Sequence, residues 1–245
     1  MESSEIIRKS VDTVSALRQE TSKRPKLLAA TKAIKCFQSR RFGSTYQDLL
    51  LSPDFSAPAH FFLRELYSDK DFTSRDAQFA RIASAIETLF PKQVVSTAVA
   101  LAELHALTED LDHQLAVVWA EPSMSEYRES ERYVRAWKAV GRRTDRERQL
   151  SDVLQVGAEL DRLTQKPGLR TLLRMMRRPA EMAGLGALQF FLEEGFDTFA
   201  KIAGKESRAK VFLETINERE TYWISLLFSA DTKTCESALT QCVGS

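Results

Sequence analysis

The chain has 245 residues, of which 43% are hydrophobic and 28% are charged, a composition typical of globular proteins rather than disordered ones. Its 35 basic and 34 acidic side chains nearly cancel, so no overall positive field attracts nucleic acid or an anionic membrane surface. We therefore favour neither a nucleic-acid partner nor a membrane partner.

The cysteines and the hydrophobic runs indicate an intracellular protein. The three cysteines, Cys36, Cys235 and Cys242, fit neither a disulfide framework nor a zinc pattern. The N-terminal segment 1–20 lacks the apolar core of a secretory signal. No apolar run approaches the roughly 20 residues needed to cross a bilayer. We therefore expect a cytoplasmic location.

Hydrophobic residues recur with the 3.6-residue period of a helix along most of the chain, which predicts an all-α protein. Residues 1–22 are mostly polar and are expected to form a weak helix or an N-terminal arm. A loop is expected over 43–57, and Pro91 marks a boundary between helices. In this half of the chain, helices are predicted over 25–42, 58–67, 73–90 and 92–120.

The C-terminal half follows the same pattern, with helices predicted over 123–140, 144–165, 168–178, 179–194 and 207–228. Gly141 is expected to end the first of these helices. Pro179 is expected to separate the third from the fourth, because proline cannot donate a helical hydrogen bond. Residues 231–245 are expected to be a flexible tail.

These elements predict a single domain of about nine or ten helices over residues 23–230. The segment VVSTAVALAEL, at 94–104, is apolar nearly all the way round a helix. Such a helix has to be enclosed by other helices. We therefore expect the helix over about 92–120 to be buried at the centre of the domain.

A polar stripe continues along the same helix, where His105, Glu109, Asp112 and His113 lie at positions i, i+4, i+7 and i+8. Helical bundles build metal sites from such side chains, and imidazole and carboxylate groups suit zinc or iron. Two interpretations stay open: ordinary polar pairing, or a zinc, iron or haem centre. The sequence favours pairing, because the paired Glu-x-x-His motifs of di-iron bundles are missing.

A basic row lies in the segment GLRTLLRMMRRP, where Arg170, Arg174, Arg177 and Arg178 share one helical face. Guanidinium groups in such an array could hold an anionic group of a ligand or an acidic partner. The alternative is a solvated face that pairs with acids such as Glu193. We keep these four arginines, called the arginine row below, as candidate anion contacts.

An aromatic segment, His60 to Ile82, predicts two helices joined by a turn. Its aromatic side chains are spaced to bury both helices, which is the simpler interpretation. A functional interpretation adds a ligand pocket, with Phe61, Phe62 and Tyr67 against the apolar body of the ligand.

No catalytic residue is assigned, because the sequence has no glycine-rich phosphate loop, nucleophile elbow or His-Glu-x-x-His motif. The leading hypothesis is a non-enzymatic binding or regulatory module for a small apolar or anionic ligand, or for a protein partner. One alternative is a metal- or haem-dependent oxidoreductase that uses His105, Glu109 and His113. Another is a helical scaffold that forms a homodimer through Tyr222 and its neighbours.

Four segments of the chain resemble a family of uncharacterised helical proteins from proteobacteria. They are HFFLRELYSDKDFTSRDAQFARI (60–82), LHALTEDLD (104–112), YVRAWKAVG (133–141) and LRMMRRPAEMAGLGALQFFLEEGF (173–196). The resemblance covers most of residues 30–230. It implies a bacterial cytosolic protein of unassigned role and transfers no functional residue.

Overall fold

The computed structural model describes residues 2–66, 72–89, 92–203 and 207–244, and within them the chain forms helices and no strand. This confirms the all-α prediction. The first six helices are α1 (Ser3–Ser22), α2 (Pro25–Thr45), α3 (Gln47–Leu51), α4 (Ser56–Leu66), α5 (Thr73–Leu89) and α6 (Lys92–Trp119). After a short 3₁₀ helix (Pro122–Glu126) come α7 (Glu129–Val140), α8 (Arg143–Thr164), α9 (Leu169–Met182), α10 (Gly186–Ala200), α11 (Arg208–Ser229) and α12 (Thr232–Val243).

Helix α6 lies at the centre of the domain, as its apolar sequence predicts. It packs against α1, α2, α5, α7 and α8. Val95 and Ala102 are buried in its first half, and Leu111 and Leu115 are buried in its second half. Pro91, the expected boundary before this helix, lies outside the described residues. Within the described part of the chain, no helix is long and apolar enough to cross a membrane.

Two large apolar clusters connect helices from both halves of the chain. One joins α2, α6, α7, α11 and α12, and the stacked rings of Phe37 and Tyr133 lie within it. The other joins α2, α3, α4, α10 and α11 around Phe42 and Phe212. Because helices from both ends of the sequence share these clusters, the described residues pack as one unit.

Helix α1 is part of this core, although its composition suggested a weak helix or an arm. Ile7, Val11 and Val14 recur at intervals of four and three residues and are buried against α5 and α6. The polar residues Ser10 and Thr21 are buried on the same helix. One face of α1 therefore packs against the centre of the domain, although most residues of the segment are polar.

The segment 231–245, expected to be a flexible tail, forms helix α12 instead. The Asp231 carboxylate starts the helix by accepting a hydrogen bond of 3.0 Å from the backbone N–H of Thr234. Cys235 and Leu239 are fully buried, one turn apart, and α12 packs against α2 and α7. A short apolar face thus orders a segment whose other residues are mostly polar.

Pro179 does not separate two helices as expected, because it lies inside α9. The helix ends instead at Met182, and Gly184, two residues later, has a φ of 69°, a conformation that glycine adopts without strain. The N–H of Leu185 donates to the carbonyl of Ala180 at 2.8 Å, which closes the end of the helix. Gly141, by contrast, ends α7 as predicted.

The order of α12 leads to a stability prediction for Leu239→Ala. The substitution leaves a cavity at a fully buried position, so we expect it to lower the free energy of unfolding by about 2–5 kcal/mol. Urea unfolding measures this, with Gln241→Ala, an exposed position on the same helix, as the control. Equal stability of the two variants would contradict an ordered α12.

Candidate ligand-binding site

A chamber with a volume of about 240 Å³, partly open to the surface, lies between α6 and helices α4, α5, α8, α9 and α10. Apolar cavities of about 150 Å³ already bind benzene, so this chamber is large enough for a small organic molecule. Most of its wall is apolar. Representative wall residues are Phe61, Phe62, Leu101, Val156, Leu173 and Phe191.

A close approach of two helices shapes the aromatic side of the chamber. A Cβ atom placed on Gly195 of α10 would lie 3.0 Å from Cζ of Phe61 on α4. The Phe61 ring also stacks on Phe191, with 5.8 Å between the ring centres. Gly195 therefore lies within α10 as a packing residue, whereas the sequence suggested that it ends a helix.

Charged and polar side chains gather on one part of the chamber wall, which we call the polar end. Arg18 belongs to it because it pairs with two of the wall residues, Asp76 and Glu109. The polar end consists of Arg18, Lys35, Gln38, Glu65, Arg75, Asp76, His105, Glu109 and Asp112. They come from α1, α2, α4, α5 and α6. Buried charges are stable only when they are paired and hydrogen-bonded, so their pairing decides what the polar end can bind.

Asp76 on α5 is one centre of this pairing. Its Oδ2 atom accepts a hydrogen bond of 2.8 Å from Arg18 and lies 3.0 Å from Nε2 of His105. Its Oδ1 atom lies 3.7 Å from Arg75. Burial alone would raise the pKa of Asp76, but the hydrogen bond with His105 and the two arginine charges outweigh burial and lower it. Asp76 is therefore a fully paired carboxylate.

Arg75 joins the polar end to the apolar wall. Its guanidinium group lies 4.0 Å from the ring centre of Phe72 and 4.5 Å from that of Phe191, distances at which a cation is attracted to an aromatic ring. The same group donates to Glu65 at 2.9 Å. Burial lowers the pKa of Arg75 despite its acidic neighbours.

Glu109 and Asp112 lie within one turn of α6 and are paired less completely. Glu109 Oε1 accepts a hydrogen bond of 2.9 Å from Lys35. Asp112 Oδ1 accepts one of 3.0 Å from Gln38, and the cation nearest to it, Arg146, is 3.8 Å away. Burial raises the pKa of Asp112, because the positive charges of Arg146 and Lys35 offset the effect of burial only in part.

The predicted metal stripe is split between two sites. His105, Glu109 and Asp112 lie at the polar end, where Lys35 and Gln38 already occupy one oxygen of each carboxylate. His113 lies against α1, 3.3 Å from Thr21 and 3.6 Å from Glu20. Eight residues turn a helix by about 80° beyond two full turns, which separates His113 from His105. Among the described residues, no three His, Cys, Asp or Glu side chains form a metal-binding group.

The arginine row points away from the chamber. Arg170 and Arg174 pair with Asp197, and Arg177 pairs with Glu193, both acids lying on α10. Arg178 is exposed. Leu169 and Leu173, on the other side of α9, contribute to the chamber wall. Three of the four arginines therefore pair with acids, Arg177 with the Glu193 named in the alternative interpretation.

The structure describes two of the three aromatic residues that were predicted to contact a ligand. Phe61 and Phe62 both line the chamber, and Tyr67 lies outside the described residues. Only part of the suggested dimer surface on α11 is exposed. Tyr222 is exposed, whereas Trp223 is buried and donates to Thr45 at 3.2 Å. Leu226 packs against the largest apolar cluster.

Sequence reasoning did not assign Arg18 or Asp76 to a site, although a signal for each exists. Arg18 lies seven residues after Val11 and four residues after Val14, so it continues the buried stripe of α1. Asp76 begins a stripe on α5 that continues with the apolar residues Phe79 and Ala83. A charged residue at an apolar stripe position indicates a buried ion pair, but the partner on another helix cannot be read from spacing.

Comparison with known proteins adds a family without adding a function. A family model described as a domain of unknown function, DUF8198, matches residues 17–234. No curated protein and no solved structure matches the chain. The matched range includes every residue of the polar end.

The pairing of Glu109 leads to a prediction of pH dependence. Cationic neighbours, Lys35 foremost, outweigh burial and hold the pKa of Glu109 below its ordinary 4.5. A carboxylate of this kind stabilises the fold fully above its unfolded pKa, and this contribution is lost as the pH falls through its lower folded pKa. We expect Glu109→Gln to lower the free energy of unfolding by about 3 kcal/mol at pH 7, and by less near pH 3.

Urea unfolding at the two pH values measures this difference. Glu103→Gln is the matched control, because Glu103 is exposed on the same helix and should change stability by no more than about 0.5 kcal/mol. A Glu109→Gln effect that is equal at both pH values would show that the carboxylate charge does not stabilise the fold.

Proposed function

The chain belongs to this family of unknown function, and we propose from its chamber that it is a binding protein for a small organic molecule with an apolar body and a polar group. The observation that carries the proposal is the division of the chamber into an apolar wall and one polar end. Ligand sites in proteins have this composition, in which apolar contacts supply affinity and a few polar groups fix orientation.

The size of the chamber supports an occupant. Protein cores leave few voids larger than a water molecule, so a space of about 240 Å³ is large for one that no molecule fills. Water is a poor filler for an apolar cavity, so an apolar molecule accounts best for the wall.

The organisation of the wall supports binding rather than a structural role alone. The polar end takes residues from five helices, and α9 and α10 supply apolar residues from a later part of the chain. A regulatory role through the bound molecule fits this arrangement, since occupancy would tie these helices together. A cytoplasmic location, a bacterial origin and a homodimer stay predictions.

Filling the chamber tests the proposal. We expect Val156→Phe to place a ring in the chamber and to reduce the affinity for 4-phenylbutanol at least tenfold, because the ring takes the space of the ligand. Val211→Phe is the matched control, since Val211 is exposed on α11. Calorimetric titration measures the affinity, and thermal unfolding checks that both variants fold.

Two outcomes of these titrations would contradict the proposal. If neither 4-phenylbutanol nor its amine and carboxylate analogues bind the wild-type chain at millimolar concentration, the chamber is not a ligand site. Equal binding by wild type and Val156→Phe would place the bound molecule elsewhere on the protein.

A further inference from the structure

The ligand class follows from which atoms of the polar end lack a partner. Glu65 and Asp76 use both of their carboxylate oxygens, since each oxygen contacts an arginine or His105. Glu109 and Asp112 each use one oxygen only. Among the described residues, Glu109 Oε2 and Asp112 Oδ2 accept no hydrogen bond.

Glu109 and Asp112 both line the chamber wall. Neither free oxygen is among the buried side-chain atoms that lack both solvent contact and a hydrogen-bond partner, so we infer that both oxygens face the chamber. Asp112 is only 5% exposed, so its free oxygen has little contact with the outside of the protein. Side chains three residues apart on a helix are neighbours, about 5–6 Å apart at Cβ. One small group in the chamber can therefore contact both carboxylates.

The two free carboxylate oxygens are hydrogen-bond acceptors, so they favour a ligand group that donates hydrogen bonds. An anionic group at this position would meet two unpaired carboxylate oxygens, which repel it, and a hydroxyl group has one hydrogen to donate. An ammonium group has three N–H donors and a positive charge, and hydrogen bonds to charged groups are the stronger ones. The raised pKa of Asp112 agrees with a carboxylate that lacks a full counter-ion.

Resting on the proposed function, we propose that the chamber binds a primary amine with an apolar body, whose ammonium group is held between Glu109 and Asp112. Lys35 and Gln38 hold the other oxygens of the two carboxylates and so fix the direction of the free ones. The apolar body of the amine lies against the aromatic and aliphatic wall.

Three matched probes test the ligand class: 4-phenylbutylamine, 4-phenylbutanol and 4-phenylbutanoate, titrated by calorimetry at pH 7. They share one apolar body and differ in the end group. We expect the amine to bind at least tenfold more tightly than the alcohol, and the carboxylate to bind more weakly than both.

Asp112→Asn assigns the selectivity to the carboxylate. We expect the tenfold preference for the amine over the alcohol to fall to about twofold or less. Asp110→Asn is the matched control, because Asp110 lies on the same helix and pairs with Arg142 outside the chamber wall. It should keep the full preference.

The outcomes separate this inference from the proposed function. Equal affinity for amine and alcohol, or tighter binding of the carboxylate, in the wild-type chain would overturn the amine inference and leave the binding proposal standing. No binding of any probe would overturn both. The wild-type ranking needs no variant, so it decides the question even if Asp112→Asn does not fold.

Discussion

The structure depends on one constraint, which is that its central helix is buried although its second half carries ionisable residues. Helix α6 is enclosed by five others, so Glu109 and Asp112 leave bulk water when the chain folds. Buried carboxylates need cations and donors, and these come from Arg18 and Lys35 on α1 and α2. The charge pairing therefore brings together segments that are far apart in the sequence.

The architecture could be predicted from the sequence where the local pattern is strong. The apolar segment 94–104 predicted a helix packed among others, and in the structure Val95, Ala98, Ala102 and Leu104 of this segment are buried, whereas Glu103 is exposed. The same method failed for α12, because its two fully buried residues, Cys235 and Leu239, stand among mostly polar neighbours. It failed at Pro179 because the end of α9 is determined by Gly184 and not by the proline.

The site could be predicted less well, for a physical reason. Spacing along α6 correctly groups His105, Glu109 and Asp112, yet it cannot show that Asp76 and Arg18, from distant helices, complete the pairing. Four arginines on one face of α9 suggested an anion site, but three of them, Arg170, Arg174 and Arg177, pair with acids on α10. A cavity is a property of the whole packing arrangement, so no single segment indicates it.

The central claim is that the wall beside α6 encloses a real apolar space next to a charged end. Xenon binds apolar cavities of this kind, so diffraction from a crystal of the protein kept under xenon pressure tests the claim directly. The account predicts xenon density in contact with Leu101, Val156 and Phe191, away from Asp112. Side chains packed across that space, with no xenon between them, would contradict it.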